Sequence, residues 1–414
     1  MSGSRPVTAC RACGGRLGLE FCDLGAMAVA NSYVPPERAA APDPAFPLRC
    51  MVCEDCRLVQ LDTVVDERGI FSDYAYLSSM SSTWLDHAAR FCAAMVARLG
   101  LGPASFVVEV ASNDGYLLRN FVAAGIPCLG VEPAANVAAI AQAAGIPTEA
   151  RFFGRAAARD ILAARGTADL VVANNVLAHV PDLDDFIGGL ALLAGARGVV
   201  SIEAPHLVAL VDGVQFDTIY HEHYAYWSLL AMEAALARHG LRVFEVERLP
   251  THGGSLRVLA SAAAQPVGAG LLDVRAEEAA RGLSADAFYR GFGPRVRAVL
   301  DGLRAWLADA RAGGRRVCAY GAAAKGNTLL NAARVTAADI LAVADRSPEK
   351  QGRLLPGSRI PVVSPEALLA LAPDDILILP WNIEAEVTRQ LRGAGHRGRL
   401  AVAVPAMRVQ DRLA

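Results

Sequence analysis

The chain has 414 residues, and at about 150 residues per domain this predicts two to three domains and excludes a single small module. Forty Lys and Arg against 42 Asp and Glu leave a formal net charge of -2, which offers no general attraction to phosphate backbones or anionic membrane, so neither nucleic acid nor membrane is expected as a partner. Hydrophobic residues at 53% supply large cores, yet no apolar run of about 18 residues occurs and the opening segment lacks the apolar stretch of a secretory signal; a globular, cytoplasmic protein is expected.

Six of the nine cysteines (Cys10, Cys13, Cys22, Cys50, Cys53 and Cys56) fall before residue 57. In a reducing compartment such clustering points to a metal rather than to disulfides. Cys10-Arg11-Ala12-Cys13 and Cys53-Glu54-Asp55-Cys56 each bring two thiolates to one side of a tight turn, and two such knuckles supply the four corners of a tetrahedral zinc. Four thiolates leave no open position for water, so the zinc is expected to be structural; the alternative is a set of buried free thiols. Between the knuckles, the loop carrying Cys22 and the Pro35-Pro36 turn is expected to bulge out, and Cys50 stands close enough to Cys53 to compete as a ligand.

A helix is predicted from Thr83 to about Gly100, followed by alternating apolar strands and Ala-rich helices. Strands are predicted over residues 105–110, 128–132, 168–173 and 198–203, with a helix over 115–124. This alternation predicts a parallel sheet covered by helices on both faces. A second α/β unit is predicted from strands over 316–321, 340–345 and 375–380, and the residues 269–313 between the two units read as one long helical stretch. The predicted division is 1–75, 76–248 and 249–414.

The first strand ends in Glu109-Val110-Ala111-Ser112-Asn113-Asp114-Gly115, and Glu132 closes the next strand 23 positions after Glu109. A turn at the carboxyl end of a parallel strand, with an acid on the neighbouring strand to accept ribose hydroxyls, is the layout of a nucleoside site. Ala111 and Asn113 stand where a dinucleotide fingerprint needs glycine. The polar groups of Asn113 and Asp114 suit an amino-acid moiety, which favours S-adenosylmethionine over NAD and over an empty turn. Asn174-Asn175 and His179 follow the strand ending at Ala173, and Tyr220-His221-Glu222-His223 follow the strand ending at Glu203. Ligands at i and i+2 do not share a helix face, so His-Glu-His is not read as a metal site. The turn Gly321-Ala322-Ala323-Ala324-Lys325-Gly326-Asn327 sits at a strand-to-helix junction suited to an anion, although it is not a P-loop. Contact with a sugar-nucleotide phosphate, a vestigial turn, and a dinucleotide with Asp345 on its ribose all remain readings of it.

Taken together, the four cysteines, Tyr74-Ala75-Tyr76-Leu77-Ser78-Ser79, Glu109 to Gly115, Tyr220-His221-Glu222-His223, His252-Gly253-Gly254-Ser255-Leu256-Arg257, Ala319 to Asn327 and Leu379-Pro380-Trp381-Asn382 resemble the nucleotide-sugar C-methyltransferases of deoxysugar and antibiotic biosynthesis. The resemblance spans essentially the whole chain. It implies an α/β protein with an N-terminal zinc-binding domain, a central Rossmann-like S-adenosylmethionine-dependent methyltransferase domain, and a C-terminal Rossmann-like domain that helps hold a TDP-linked 4-keto-deoxysugar.

The same resemblance assigns residues. Zinc falls to Cys10, Cys13, Cys53 and Cys56, and the cofactor to Glu109, Ala111, Asn113, Asp114, Gly115, Glu132, Pro133, Asn174 and Asn175. The sugar nucleotide falls to Tyr76, Ser79, His179, Tyr220, His223, His252, Lys325 and Asn327. Carbon is a poor nucleophile, so methylating it requires removal of a proton α to the ketone and stabilisation of the enolate oxygen. His223 is the implied base, flanked by Glu222 and Tyr220, with His179 and Tyr76 as implied donors to the enolate. C-3 is the expected carbon, with C-5 as the alternative by the same chemistry. Two other readings are an NAD-dependent nucleotide-sugar oxidoreductase or epimerase, and a zinc-containing regulator that binds nucleic acid; the acidic second knuckle weighs against the last. The resemblance does not fix the oligomeric state.

Overall fold

The computed structural model describes residues 3–65, 77–80 and 82–411. The N-terminal region is antiparallel: β1 (Ser4–Pro6), β2 (Leu17–Ala28), β3 (Ala45–Cys53), β4 (Val59–Leu61) and β5 (Thr63–Val65). Cys22 does not lie in a bulging loop. It sits within β2, paired directly opposite Cys50 of β3. Alternation buries Leu19 and Phe21 with Glu20 outward, and a register shift between Glu20 and Cys22 turns the thiol inward as well. Phe21 then stacks on Phe292, with ring centres 4.4 Å apart.

The central domain follows as α1 (Ser82–Leu99), β6 (Val107–Val110), α2 (Leu118–Ala123), β7 (Cys128–Glu132), α3 (Ala135–Ala143), β8 (Thr148–Ala150), α4 (Arg155–Arg165), β9 (Leu170–Asn174), α5 (Leu183–Ala194), β10 (Val199–Pro205), α6 (Leu207–Asp212), β11 (Ala225–Tyr226), α7 (Leu229–Ala237), β12 (Arg242–Leu249) and β13 (Ser255–Ser261). Its seven-stranded sheet runs in the order β12-β13-β10-β9-β6-β7-β8. Strands β6 to β10 are parallel, and β6, β7, β9 and β10 are buried along nearly their whole length, as strands covered on both faces must be, whereas the edge strand β8 is half-exposed. The sheet is not wholly parallel: β13 runs antiparallel to both β10 and β12. The link between β12 and β13 is too short for a crossover helix, so the two must form a hairpin. The expected boundary at 248/249 falls inside β12, at its last residue, and so would part this hairpin.

The stretch read as one helix is three: α8 (Ala269–Ala280), α9 (Asp286–Arg290) and α10 (Phe292–Ala312). Gly282, at φ 74°, ends the first, and Gly291 separates the other two. The C-terminal sheet contains β14 (Val317–Tyr320), followed by α11 (Ala324–Ala332), then β15 (Val343–Ala344), β16 (Val362–Val363), β17 (Asp375–Ile378), β18 (Arg399–Val402) and β19 (Arg408–Gln410), in the order β16-β15-β14-β17-β18-β19. One hydrophobic core joins Phe21 and Leu48 of the N-terminal hairpin, Leu303 of α10, and Val317 and Leu377 of this sheet. No helix among the described residues is long and apolar enough to cross a membrane. One strand crosses between units: β11, immediately after His223, pairs antiparallel with β4 and becomes the edge of the N-terminal sheet.

Candidate active site and metal centre

A cavity of about 790 Å³ opens at the carboxyl ends of β6, β7, β9 and β10, the edge where ligands of such sheets bind. Its nucleoside side is built on the turn after β6. Ala111, Asn113 and Gly115 all have positive φ (56°, 51° and 78°), so the backbone adopts left-handed conformations even where glycine is missing. A Cβ on Gly115 would come within 2.3 Å of Ile146. Glu132 holds the turn from below: its two carboxylate oxygens accept from the backbone N–H groups of Asn113 and Ala134, both at 2.9 Å. Glu132, Pro133, Ala111, Asn113, Asn174 and Asn175 line the cavity. The side-chain amides of Asn175 and the Oδ1 of Asn174 are buried without a partner among the described residues, which is a cost in an empty site and a complement to a polar ligand. Glu109, Asp114 and Gly115 lie behind this wall; burial pushes the Glu109 carboxyl well up. Phe152 and Phe153, which the sequence reading did not single out, follow β8 and present flat apolar surface to the same side. Two successive aromatics at the end of the third parallel strand were the available signal. These groups fit S-adenosylmethionine.

The opposite wall carries the reactive side chains. His223 Nδ1 lies 2.9 Å from the Thr218 carbonyl, so that nitrogen carries the proton, and Nε2 accepts from the Tyr220 hydroxyl at 2.7 Å. His179 is fixed in the same tautomer, its Nδ1 donating to the Glu222 carbonyl at 2.8 Å. The two imidazoles meet edge to face with centres 4.7 Å apart. Burial holds His179 down to about 4 and His223 well below 6.5, the latter reinforced by His179 and Lys325 nearby, so both rings are neutral at pH 7. Burial lifts the Glu222 carboxyl to about 7 against two 2.9 Å hydrogen bonds donated by Asn31 Nδ2. Asn31 comes from the N-terminal region and was invisible to sequence reasoning.

His252 lines the same cavity in a left-handed conformation, φ 56°. Lys325 enters it from the first turn of α11, its ammonium 5.0 Å above the Trp381 ring, while Trp381 Nε1 donates to buried Asp217 at 2.7 Å. No ion pair to Lys325 is found among the described residues. Asn327 instead points away, donating to the Ala30 carbonyl at 3.2 Å, and Ser79 meets the cofactor turn through its backbone N–H, which donates to Asp114. Tyr76 lies outside the described residues. At the end of β14, the Tyr33 hydroxyl and Lys350 Nζ both donate to the Ala322 carbonyl, and Lys350 also pairs with Asp345, so the acid a dinucleotide reading needs is already engaged.

Cys10, Cys13, Cys53 and Cys56 place their four sulfurs within 4.8 Å of one another, the one such cluster of possible ligands among the described residues. A tetrahedron with Zn–S of about 2.3 Å has S–S edges of about 3.8 Å, and with Cys13–Cys53 and Cys10–Cys56 at 3.4 and 3.6 Å the donor set fits a zinc ion. Cys50 does not join it: burial pushes Cys22 up to about 12 and Cys50 well up, leaving both as protonated core thiols.

Residues 250–405 match the family described as the C-methyltransferase C-terminal domain, residues 84–246 a methyltransferase domain, and residues 10–71 a zinc binding domain. The C-methyltransferase NovU of Streptomyces niveus is 35% identical over 408 residues, which are 98% of this chain and 97% of NovU. Two solved structures are similar over less than half of the chain. Magnesium protoporphyrin IX methyltransferase ChlM of Synechocystis PCC 6803 with bound SAH is 16% identical, at a TM-score of 0.35, over 47% of this chain and 92% of that one. An S-adenosylmethionine-dependent methyltransferase from Clostridium acetobutylicum is 11% identical, at a TM-score of 0.35, over 44% and 92%.

Proposed function

Starting from a chain that belongs to the S-adenosylmethionine-dependent C-methyltransferases with a zinc-binding N-terminal domain, we propose that it methylates a ring carbon α to the ketone of a TDP-linked 4-keto-deoxysugar, at C-3. The observation that carries this reading is the pair of neutral imidazoles fixed on the wall facing the cofactor turn, lining the same cavity as that turn. S-adenosylmethionine supplies an electrophilic methyl group when bound.

His223 is the base. With Nδ1–H donating to Thr218, the lone pair of Nε2 takes the proton from the carbon α to the ketone. The Tyr220 hydroxyl must first turn from Nε2 to the ketone oxygen, which frees the Nε2 lone pair for the proton and places a donor where charge gathers. His179 lines the pocket beside the sugar; with Nδ1–H committed to the Glu222 carbonyl, its Nε2 offers a lone pair rather than the donor expected for the enolate. The enolate carbon would then use its electron pair to form the new C–C bond to the methyl group, while the methyl's bond to sulfur breaks and its electron pair stays on the sulfur of the departing S-adenosylhomocysteine. Glu222, held by Asn31, accepts from a sugar hydroxyl. Lys325, with the N–H groups at the start of α11, contacts the diphosphate. C-5 methylation is the second reading, because the same enolate logic applies on the other side of the ketone.

Calorimetric titrations with S-adenosylhomocysteine, NAD and a TDP-4-keto-deoxysugar test the assignment. Binding of the first and third without NAD is expected; tight NAD binding without S-adenosylhomocysteine would replace it with an oxidoreductase.

A further inference from the structure

The first zinc knuckle contains a cation that reaches out of the metal site. Arg11, between Cys10 and Cys13, donates from Nη1 to the Val180 carbonyl at 3.0 Å and from Nη2 to the Tyr224 carbonyl. Those carbonyls belong to the residues that directly follow His179 and His223 in the chain. The same side chain is braced at its base: the Arg11 backbone N–H and Nε donate to Gln60 Oε1 at 3.1 and 3.2 Å, and Gln60 Nε2 donates to Cys10 Sγ at 3.1 Å. The two histidine loops also hold each other, Tyr224 N–H donating to the Ala178 carbonyl at 2.7 Å, and Leu61 N–H of β4 donates to Tyr224 at 2.9 Å.

We propose that Arg11 is a positioning residue that couples the zinc knuckle to the two active-site histidines. The proposal rests on the reading of those histidines as catalytic. A guanidinium fork spans two carbonyls in fixed directions, so it sets the distance between the loops as well as their positions. The charge has a reason to stay there. No carboxylate pairs with Arg11 among the described residues; the titratable groups that act on it are Cys10, Tyr224, Arg5 and Tyr226. Zinc with four thiolates carries a net charge of about -2, which Arg11 partly neutralises. Loss of the metal would free the knuckle that holds the base of this side chain through Gln60 and Cys10, so the fork would lose its fixed origin. The zinc therefore acts on the geometry of the site without touching the reacting atoms.

The test uses the full-length, zinc-replete protein with ¹⁵N-labelled histidine. In Arg11→Met we expect about one zinc per chain, S-adenosylhomocysteine affinity within about twofold of wild type, displaced ring signals for His179 and His223, and turnover lower by at least about tenfold, the scale of a small misplacement of reacting groups. The ring signals are assigned with His179→Asn and His223→Asn. Arg11→Lys keeps the charge without the fork and should fall between the two. Should Arg11→Met fail to fold, stepwise zinc withdrawal from the wild type serves instead: ring signals and turnover should decline with zinc content while the far-ultraviolet helical signal persists. Unmoved ring signals in folded, zinc-loaded Arg11→Met, or in partly zinc-depleted wild type, would overturn the coupling. Displaced rings with unchanged turnover would uphold the coupling and overturn the catalytic reading of the histidines.

Discussion

The Asn31 amide donates to both carboxylate oxygens of Glu222, at 2.9 Å each, across the junction between the N-terminal and central domains. Glu222 precedes His223 and its carbonyl orients His179, so this one contact ties a loop far away in sequence to both rings.

It also predicts a pH dependence. Burial raises the Glu222 carboxyl to about 7, whereas both histidines stay neutral throughout the neutral range. As pH falls through about 7, Glu222 takes up a proton and the site loses its carboxylate. The acid limb of kcat/KM should therefore lie near 7 and disappear in Glu222→Gln. For stability the sign runs against the ionised form: the folded value lies above the ordinary one of about 4.5, so the buried carboxylate costs stability above pH 7 and little below pH 5. Glu222→Gln should gain roughly 2–3 kcal/mol over the wild type at pH 8 and much less at pH 5, as measured by denaturant unfolding.

The zinc centre predicts a split among the six N-terminal cysteines. Cys53→Ser should lose the metal and several kcal/mol of stability, since metal binding in small domains is coupled to folding. Cys22→Ser should keep about one zinc per chain, because Cys22 faces Cys50 in the hairpin core rather than the knuckles. Metal analysis of the two purified variants decides; loss of zinc from Cys22→Ser would reassign the ligands.

The cofactor wall predicts that Glu132→Ala weakens S-adenosylmethionine binding at least about tenfold, on the scale of roughly 1.5–3 kcal/mol for hydrogen bonds to a charged group. Part of the loss comes from release of the Asn113 turn that Glu132 holds. Titration with S-adenosylhomocysteine measures it, and unchanged affinity in a folded variant would place the ribose elsewhere.

Lys325→Ala should raise KM for the sugar nucleotide by about tenfold or more while leaving cofactor affinity near wild type, the signature of a lost contact with an anion remote from the reacting carbon. Equal loss for both ligands would instead assign Lys325 to the packing between α11 and Trp381.

Much of this site is legible in the sequence because its chemistry is local. The knuckles are visible as Cys-x-x-Cys pairs, and Tyr220 meets His223 three residues away. The cofactor turn and Glu132 are found because parallel strands place their carboxyl ends side by side. What stays hidden depends on long-range pairing. Nothing near Asn31 announces that it faces Glu222, nothing in the knuckle announces that Arg11 reaches Tyr224, and β11 is too short to signal that it completes the N-terminal sheet. Cys22 misleads for a related reason: a twelve-residue strand interrupted by register shifts lacks the clean alternation that marks a hairpin. Asn327 sits in a motif rich in candidate ligands, yet its helix turns it toward Ala30.

The central claim is that His223 removes the sugar proton, and exchange of the α-hydrogen with deuterated water, in the presence of a cofactor analogue that cannot donate its methyl group, tests it most directly. Such exchange reports enolate formation alone. His223→Asn should abolish it while retaining both ligands and should lower turnover by roughly 100-fold or more, the usual scale for a general base, whereas His179→Asn should keep measurable exchange with a smaller loss of turnover. Normal exchange in His223→Asn, with exchange abolished in His179→Asn, would contradict the account and transfer the role of base to His179.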